Sequence, residues 1–143
     1  MILLDTNVVS EIYRPQPATT VIDWIDSQPS TSLYLCTPVI AELRFGMERL
    51  PVGARKERIR AAIDRLENDL YRDRIFAFDL AAAAEYGRLV AKRRKSGNPI
   101  NAMDALIAAI GMTHGASVAT RNVKDFADLG LELINPFEMA VDR

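Results

Sequence analysis

Asn101-Ala-Met-Asp104-Ala-Leu-Ile107-Ala-Ala-Ile110-Gly-Met-Thr-His114-Gly-Ala-Ser117-Val-Ala119-Thr120-Arg121-Asn122 is the stretch whose reading decides the fold. Met103, Leu106, Ile107 and Ile110 recur at three- and four-residue intervals, which places them on one buried stripe of an α-helix. Asn101 is a good N-cap, with Asp104 three places on as in a capping box. The period then changes. Ser117–Ala119 is a short apolar run, closed at once by polar Thr120-Arg121-Asn122. A helix leading into a strand is one unit of an alternating α/β chain.

Outward from this unit the alternation continues. Apolar runs at Ile2–Leu4, Ser32–Cys36, Ile75–Phe78 and Leu131–Ile134 predict four more strands. Leu80, Ala83, Ala84, Gly87, Val90 and Ala91 predict the buried stripe of the preceding helix. Ile59, Ala62, Ile63, Leu66 and Leu70 predict an exposed amphipathic helix over 54–72. Thr37-Pro38 reads as an N-cap followed by proline at the first helical position, and Ser96-Gly97-Asn98-Pro99 as a break between helices. The order β-α-α-β-α-α-β-α-α-β-α-β predicts one α/β domain over 1–143, with a mainly parallel sheet of four to five strands flanked by helices.

Composition narrows the class. With 143 residues, 49% hydrophobic and 26% charged, the chain can bury a core and is not disordered throughout. The single cysteine, Cys36, sits in an apolar run and reads as a buried small hydrophobe in a reducing cytoplasm. Asp5 interrupts the first apolar stretch and no basic segment precedes it, so no secretory leader is expected. The charge-free stretch Ala105–Thr120 is too short and too polar to cross a bilayer. A net charge of −1 argues against a large basic face, although Arg88, Lys92, Arg93, Arg94 and Lys95 form one basic window. That window reads either as a solvated helix face favoured near a helix C-terminus or as a hold on a phosphate backbone.

In parallel sheets ligands bind outside the carboxyl ends of the strands. That rule selects Asp5-Thr6-Asn7 after the first strand, Glu42 one turn beyond the second, and Asn122 and Asp125 after the fourth. Asp104, opening the helix that leads into the fourth strand, joins the same rim. Carboxylates converging in a partly dry cleft repel one another, and a cation relieves this. Oxygen-only ligands select Mg2+, with Mn2+ as a substitute. The only histidine, His114, lies late in its helix, away from this set, so zinc is not indicated. Each acid except Glu42 also has a plain capping role open to it: Asp5 as N-cap, Asn101 with Asp104, and Asn122 with Asp125. Glu42 is too deep in its helix to cap it.

Four blocks at these positions, Ile2-Leu3-Leu4-Asp5-Thr6-Asn7-Val8-Val9-Ser10-Glu11, Ala41-Glu42-Leu43-Arg44-Phe45-Gly46, Asp104-Ala105-Leu106-Ile107-Ala108-Ala109 and Thr120-Arg121-Asn122-Val123-Lys124-Asp125-Phe126, carry a resemblance. The chain resembles, over essentially its whole length, the PIN-domain ribonucleases, and within them the VapC/FitB-like toxins of toxin–antitoxin pairs. The resemblance implies that Asp5, Glu42 and Asp104 are catalytic acids that bind Mg2+ and activate water to hydrolyse RNA phosphodiesters, leaving 5′-phosphate ends. Many relatives carry a fourth acid at the position of Asn122. Here an amide oxygen replaces it, with Asp125 able to act through water. Thr6 and Thr120 would orient carboxylates, and Arg14, Arg44, Arg121 and Lys124, near the rim, are candidates to hold RNA phosphates. The implied partners are RNA, a small antitoxin that blocks the site, a second copy of the chain, and operator DNA in a larger assembly, with no membrane. Ile12, Trp24 and Leu50 are candidates for such contacts, though core positions suit them better.

Two other classes share an acidic α/β mouth. A phosphatase of the haloacid-dehalogenase kind needs a second aspartate where Asn7 stands, and a receiver domain needs an adjacent acidic pair after the first strand. A catalytically degenerate PIN-like interaction protein has Asn122 as its one support.

Overall fold

A computed structural model describes residues 1–139. Its elements are β1 (Ile2–Leu4), α1 (Thr6–Ile12), α2 (Thr19–Ser27), β2 (Leu33–Cys36), α3 (Thr37–Glu48), α4 (Ala54–Arg65), β3 (Ile75–Phe76), α5 (Leu80–Lys95), α6 (Ala102–His114), β4 (Ser117–Ala119) and β5 (Leu133–Ile134). Short 3-10 turns occupy Ser30–Ser32 and Val123–Phe126. All five strands are parallel, in the order β3-β2-β1-β4-β5.

β1 is the centre of the sheet: Ile2 aligns with Leu33 on one side and Ser117 on the other. The chain builds outward from β1 through β2 to β3, then crosses back to lay β4 on the opposite flank. The strand order therefore reverses between β1 and β4, and a crevice opens outside the carboxyl ends of these two strands. Leu3, Leu4, Leu35, Cys36, Val118 and Ala119 are fully buried, as strands covered on both faces should be. α6 lies so close on β4 that a Cβ added at Gly111 would meet Val118 Cγ2 at 3.2 Å.

Several local expectations are revised. The strands are shorter than the apolar runs: Ser32 belongs to a 3-10 turn, Ala77 and Phe78 leave the ladder after Phe76, and pairing of β5 starts only at Leu133. The helix expected over 54–72 ends at Arg65 and widens into a π turn over Leu66–Leu70. There the Tyr71 N–H donates to Leu66 O at 2.9 Å, and Arg74 Nη2 donates to Leu70 O at 2.7 Å. The extra residue in the turn rotates Leu70 off the buried stripe, and it is exposed. The cap of α3 is Cys36, one residue before Thr37, whose hydroxyl accepts from the Phe78 N–H at 3.3 Å instead.

The largest correction concerns α5. Leu80 is 90% exposed, and Ala83, Ala84, Gly87 and Ala91 also face outward. The buried stripe is Ala82, Leu89 and Arg93, with Tyr86 and Val90 beside it. In an alanine-rich helix several faces are equally apolar, and the bulkier Tyr86 and Leu89 decide which one docks. α6 has the opposite character, being buried at every residue from Asp104 to Gly111 except the half-buried Leu106. Trp24 and Cys36 are core residues, and burial pushes the Cys36 thiol up to about 12. His114 stacks on Phe76, ring centres 3.7 Å apart, as part of the packing.

Candidate active site

Asp5 is the first residue past β1. Its N–H donates to Ala119 O at 2.9 Å, extending the ladder to β4 by one step and locking the residue over the β1/β4 crevice. Its carboxylate caps α1: Oδ1 accepts from the Thr6 N–H at 2.7 Å. Oδ2 accepts from Thr120 Oγ1 at 2.7 Å and from Asn7 Nδ2 at 3.2 Å. With only 4% of its surface exposed, the group is strongly perturbed. Burial pushes its carboxyl up to about 6; the Thr120 hydroxyl and Thr6 amide oppose this, while the charges of Asp104 and Glu42 push it further up.

Glu42 stands in the second turn of α3, where Oε1 accepts from Thr6 Oγ1 at 2.6 Å. Asp104 is buried at the start of α6. Asn101 caps that helix by accepting the Asp104 N–H on Oδ1 at 2.8 Å, and its Nδ2 donates back to Asp104 Oδ2 at 2.6 Å. Burial raises the Asp104 carboxyl, Asn101 lowers it, and the charges of Asp125 and Glu42 raise it again. Capping and convergence coexist here. Asp5, Glu42 and Asp104 come from three separate elements and lie within electrostatic reach of one another.

Asn122 and Asp125 are placed differently. The Asn122 N–H donates to Thr120 Oγ1 at 2.9 Å, but its side chain is exposed and does not cap the 3-10 turn that follows. Asp125 is exposed as well, and reaches Asp104 only through its field.

The PIN domain family matches residues 2–131. This chain belongs to that family. Among curated relatives, VapC ribonuclease Y4jK of Sinorhizobium fredii is 41% identical over 98% of this chain and 100% of its own length. Toxin FitB of Neisseria gonorrhoeae is 37% identical over 96% of this chain and 99% of its own. A solved structure of FitAB bound to an IR36 DNA fragment superposes with a TM-score of 0.92 at 35% identity, covering 100% of both chains.

A hard divalent cation suits this PIN domain in kind, since its rim donors are all oxygens and burial, with neighbouring charge, raises the Asp5 and Asp104 carboxyls. The fit is incomplete in arrangement. Among the described residues no three His, Cys, Asp or Glu side chains are drawn around a common point. The Thr120, Thr6 and Asn101 contacts orient one oxygen of Asp5, Glu42 and Asp104 respectively, leaving further lone pairs on each carboxylate.

The basic residues of the PIN domain divide sharply. Arg44 is engaged away from the acids, bonded to Asp64 at 2.7 Å and to Glu67 at 2.8 Å, so it ties α3 to the following helical segment. Arg14 bonds Glu11 at 3.3 Å and is otherwise open. Arg121 lies with its guanidinium over the Phe137 ring, and Lys124 is exposed. Within the basic window of α5, Arg93 is buried and serves the fold. It donates to the carbonyls of Asn98 at 3.2 Å, Asp125 at 2.7 Å and Ala127 at 2.9 Å. It thereby joins the loop that leads into α6, the helix of Asp104, to the segment after β4 that carries Asn122. Its seven-residue offset from Tyr86 and four-residue offset from Leu89 was the sequence signal for this role. Glu11 was also missed: it is buried, and the Ala18 N–H, at 2.9 Å, holds its carboxyl below the usual range.

Beside the acids runs a cleft of about 530 Å3 between α1, α3 and α4. Tyr13, Leu43, Met47 and Ile59 make its apolar wall, with Thr6 and Glu42 also lining it.

Proposed function

We propose that this chain is a Mg2+-dependent ribonuclease, the toxic component of a type II toxin–antitoxin module. The observation that carries the reading is Asp5: a buried carboxyl at the strand-order reversal, pushed up to about 6 by burial with Asp104 and Glu42 adding to the shift. A fold gains nothing by burying Asp5 and Asp104 near other acids, where burial and neighbouring charge both disfavour their ionised forms. A site for a divalent cation and an RNA phosphate does.

Asp5, Glu42 and Asp104 are the residues that would hold the ion, with Asn122 or Asp125 completing its surroundings. When bound, such an ion lowers the pKa of water and offsets charge on phosphoryl oxygens. The chain's own part is positional. Thr120 and the Thr6 amide hold both oxygens of Asp5, the Thr6 hydroxyl holds Glu42, and Asn101 holds Asp104. At Asp5 and Asp104 these donors also favour the charged carboxylate over the protonated one. Arg14, Arg121 and Lys124 supply positive charge at the rim.

The relatives support the assembly. FitAB was solved on DNA, and an antitoxin segment seated in the 530 Å3 cleft would cover Glu42 and Thr6. A second copy of the chain suits the outward face of α5, where Leu80, Ala83, Ala84, Gly87 and Ala91 lie exposed. No helix among the described residues is long and apolar enough to cross a membrane. A toxin that cuts cellular RNA would act in the cytoplasm.

Mapping the ends produced from total RNA tests the reading. Expected are 5′-phosphate and 3′-hydroxyl termini that disappear with EDTA and return with Mg2+ or Mn2+. Cleavage indifferent to chelation, or no cleavage at all, would refute it.

A further inference from the structure

Arg121 follows Thr120 directly, and its backbone N–H donates to Asn7 Oδ1 at 3.1 Å. Asn7 Nδ2 in turn donates to Asp5 Oδ2 at 3.2 Å. One side chain thus separates Arg121 from the buried carboxylate. The Arg121 guanidinium carbon lies 3.8 Å from the centre of the Phe137 ring. At that separation an edge-on guanidinium would drive an N–H into the ring, so sterics favour a stacked arrangement of the two planes. Phe137 is half-buried and packs on the core, which fixes the ring, whereas Arg121 is exposed. Among the described residues no carboxylate pairs with Arg121. The result is a flat cation held on one face by an aromatic ring, with its other face open.

We propose that Arg121 and Phe137 form a stacking platform for one nucleobase of single-stranded RNA, next to the phosphate that is cut. Unpaired bases stack on guanidinium and aromatic planes, whereas bases within a duplex have no free face to offer. The ring holds the arginine in the stacking orientation before RNA arrives, which reduces the ordering cost of binding. The Asn7 link then sets the distance from the stacked base to Asp5, so the platform would favour cutting at one fixed offset from a well-stacking base. The inference rests on the RNA-cleaving reading and goes beyond it by assigning a base, rather than a phosphate, to Arg121.

The test begins with wild-type protein and total RNA, to locate a cut site. A fluorescein-labelled single-stranded oligoribonucleotide spanning that site then serves as the probe. Binding is read by anisotropy in an Asp104→Asn background, so that the probe stays intact. Added Arg121→Lys, which keeps charge but not the plane, and Phe137→Leu, which keeps apolar bulk but not the ring face, are each expected to weaken binding about tenfold. Abasic substitutions are then walked along the probe. At one position the abasic probe should bind about tenfold less tightly than the intact one, and that penalty should vanish in Arg121→Lys. Full affinity in Arg121→Lys would mean a simple phosphate contact and would overturn the platform. Abasic penalties identical with and without Arg121 would overturn it too. Failure of the wild-type protein to cut any RNA at the first step would remove the ribonuclease reading itself, and the platform with it.

Discussion

Asp5 and Asp125 bring the same functional group to the same pole of the molecule under opposite conditions. Asp5 is buried, receives hydrogen bonds from Thr6, Asn7 and Thr120, and has its carboxyl raised to about 6. Asp125 is exposed, and only its main chain enters the hydrogen-bond network: the N–H donates to Asn122 O and the carbonyl accepts from Arg93. Water solvates the one that the fold leaves alone. The other is kept dry near like charges, which costs stability and is sustained by donors from the first turn of α1 and the loop after β4. The difference teaches that function is marked less by where an acid lies than by what the fold gives up to keep it there.

The sharpest way to break this contrast is Asp5→Asn, which keeps shape and loses charge. RNA cleavage should fall on the order of a thousandfold or more, as when a group acting directly on the transition state is removed. Cleavage rates on a mapped substrate, with circular dichroism as a check on folding, decide it. A smaller effect concerns stability. Because the Asp5 carboxyl titrates near 6 in the folded protein but near 3.8 unfolded, the folded state binds the proton more tightly. Stability is therefore fully present below about pH 4 and is lost as pH rises towards and through 6, by about 3 kcal/mol in the metal-free protein. Urea titrations in EDTA across that range should show this loss, and Asp5→Asn should flatten it.

Thr120→Val sharpens the contrast further, because it removes a donor to Asp5 without touching any acid. Cleavage should drop roughly ten- to a hundredfold, and the acid limb of the pH–rate profile should move to higher pH, since the lost hydrogen bond had lowered that pKa. An unmoved limb would mean that Thr120 serves packing alone. Asp125→Asn should matter least, changing cleavage less than about tenfold, through the lost field at Asp104. A loss as large as that of Asp5→Asn would erase the distinction between the two acids.

Much of this was legible in the residues. The change of period between Ile110 and Ser117, repeated along the chain, is enough for a parallel α/β sheet, and the strand-end rule selects Asp5, Glu42, Asn122 and Asp125, with Asp104 joining the same rim as a helix opener. What could not be read was which of several similar faces a helix buries. Leu80 looks like an anchor and lies in solvent, while Arg93 looks like a surface cation and is buried beneath two loops. Periodicity measures apolarity around a helix, and an alanine-rich helix is nearly even in that respect; tertiary shape then decides. The engagement of Arg44 by Asp64 and Glu67 was hidden for a related reason, since those partners lie 20 and 23 residues away on the chain. The stacking of Arg121 on Phe137 likewise needed three dimensions.

The thiol of Cys36 offers a gauge of motion that has to be neither engineered nor labelled in advance. It lies fully enclosed at the end of β2 and stays protonated, in part because Asp5 and Glu42 repel a thiolate there. A reagent in solution captures it only when the floor beneath those carboxylates opens, so the capture rate is a clock for breathing at that pole. Anything that quiets the pole, whether an ion or a bound segment, should slow the clock.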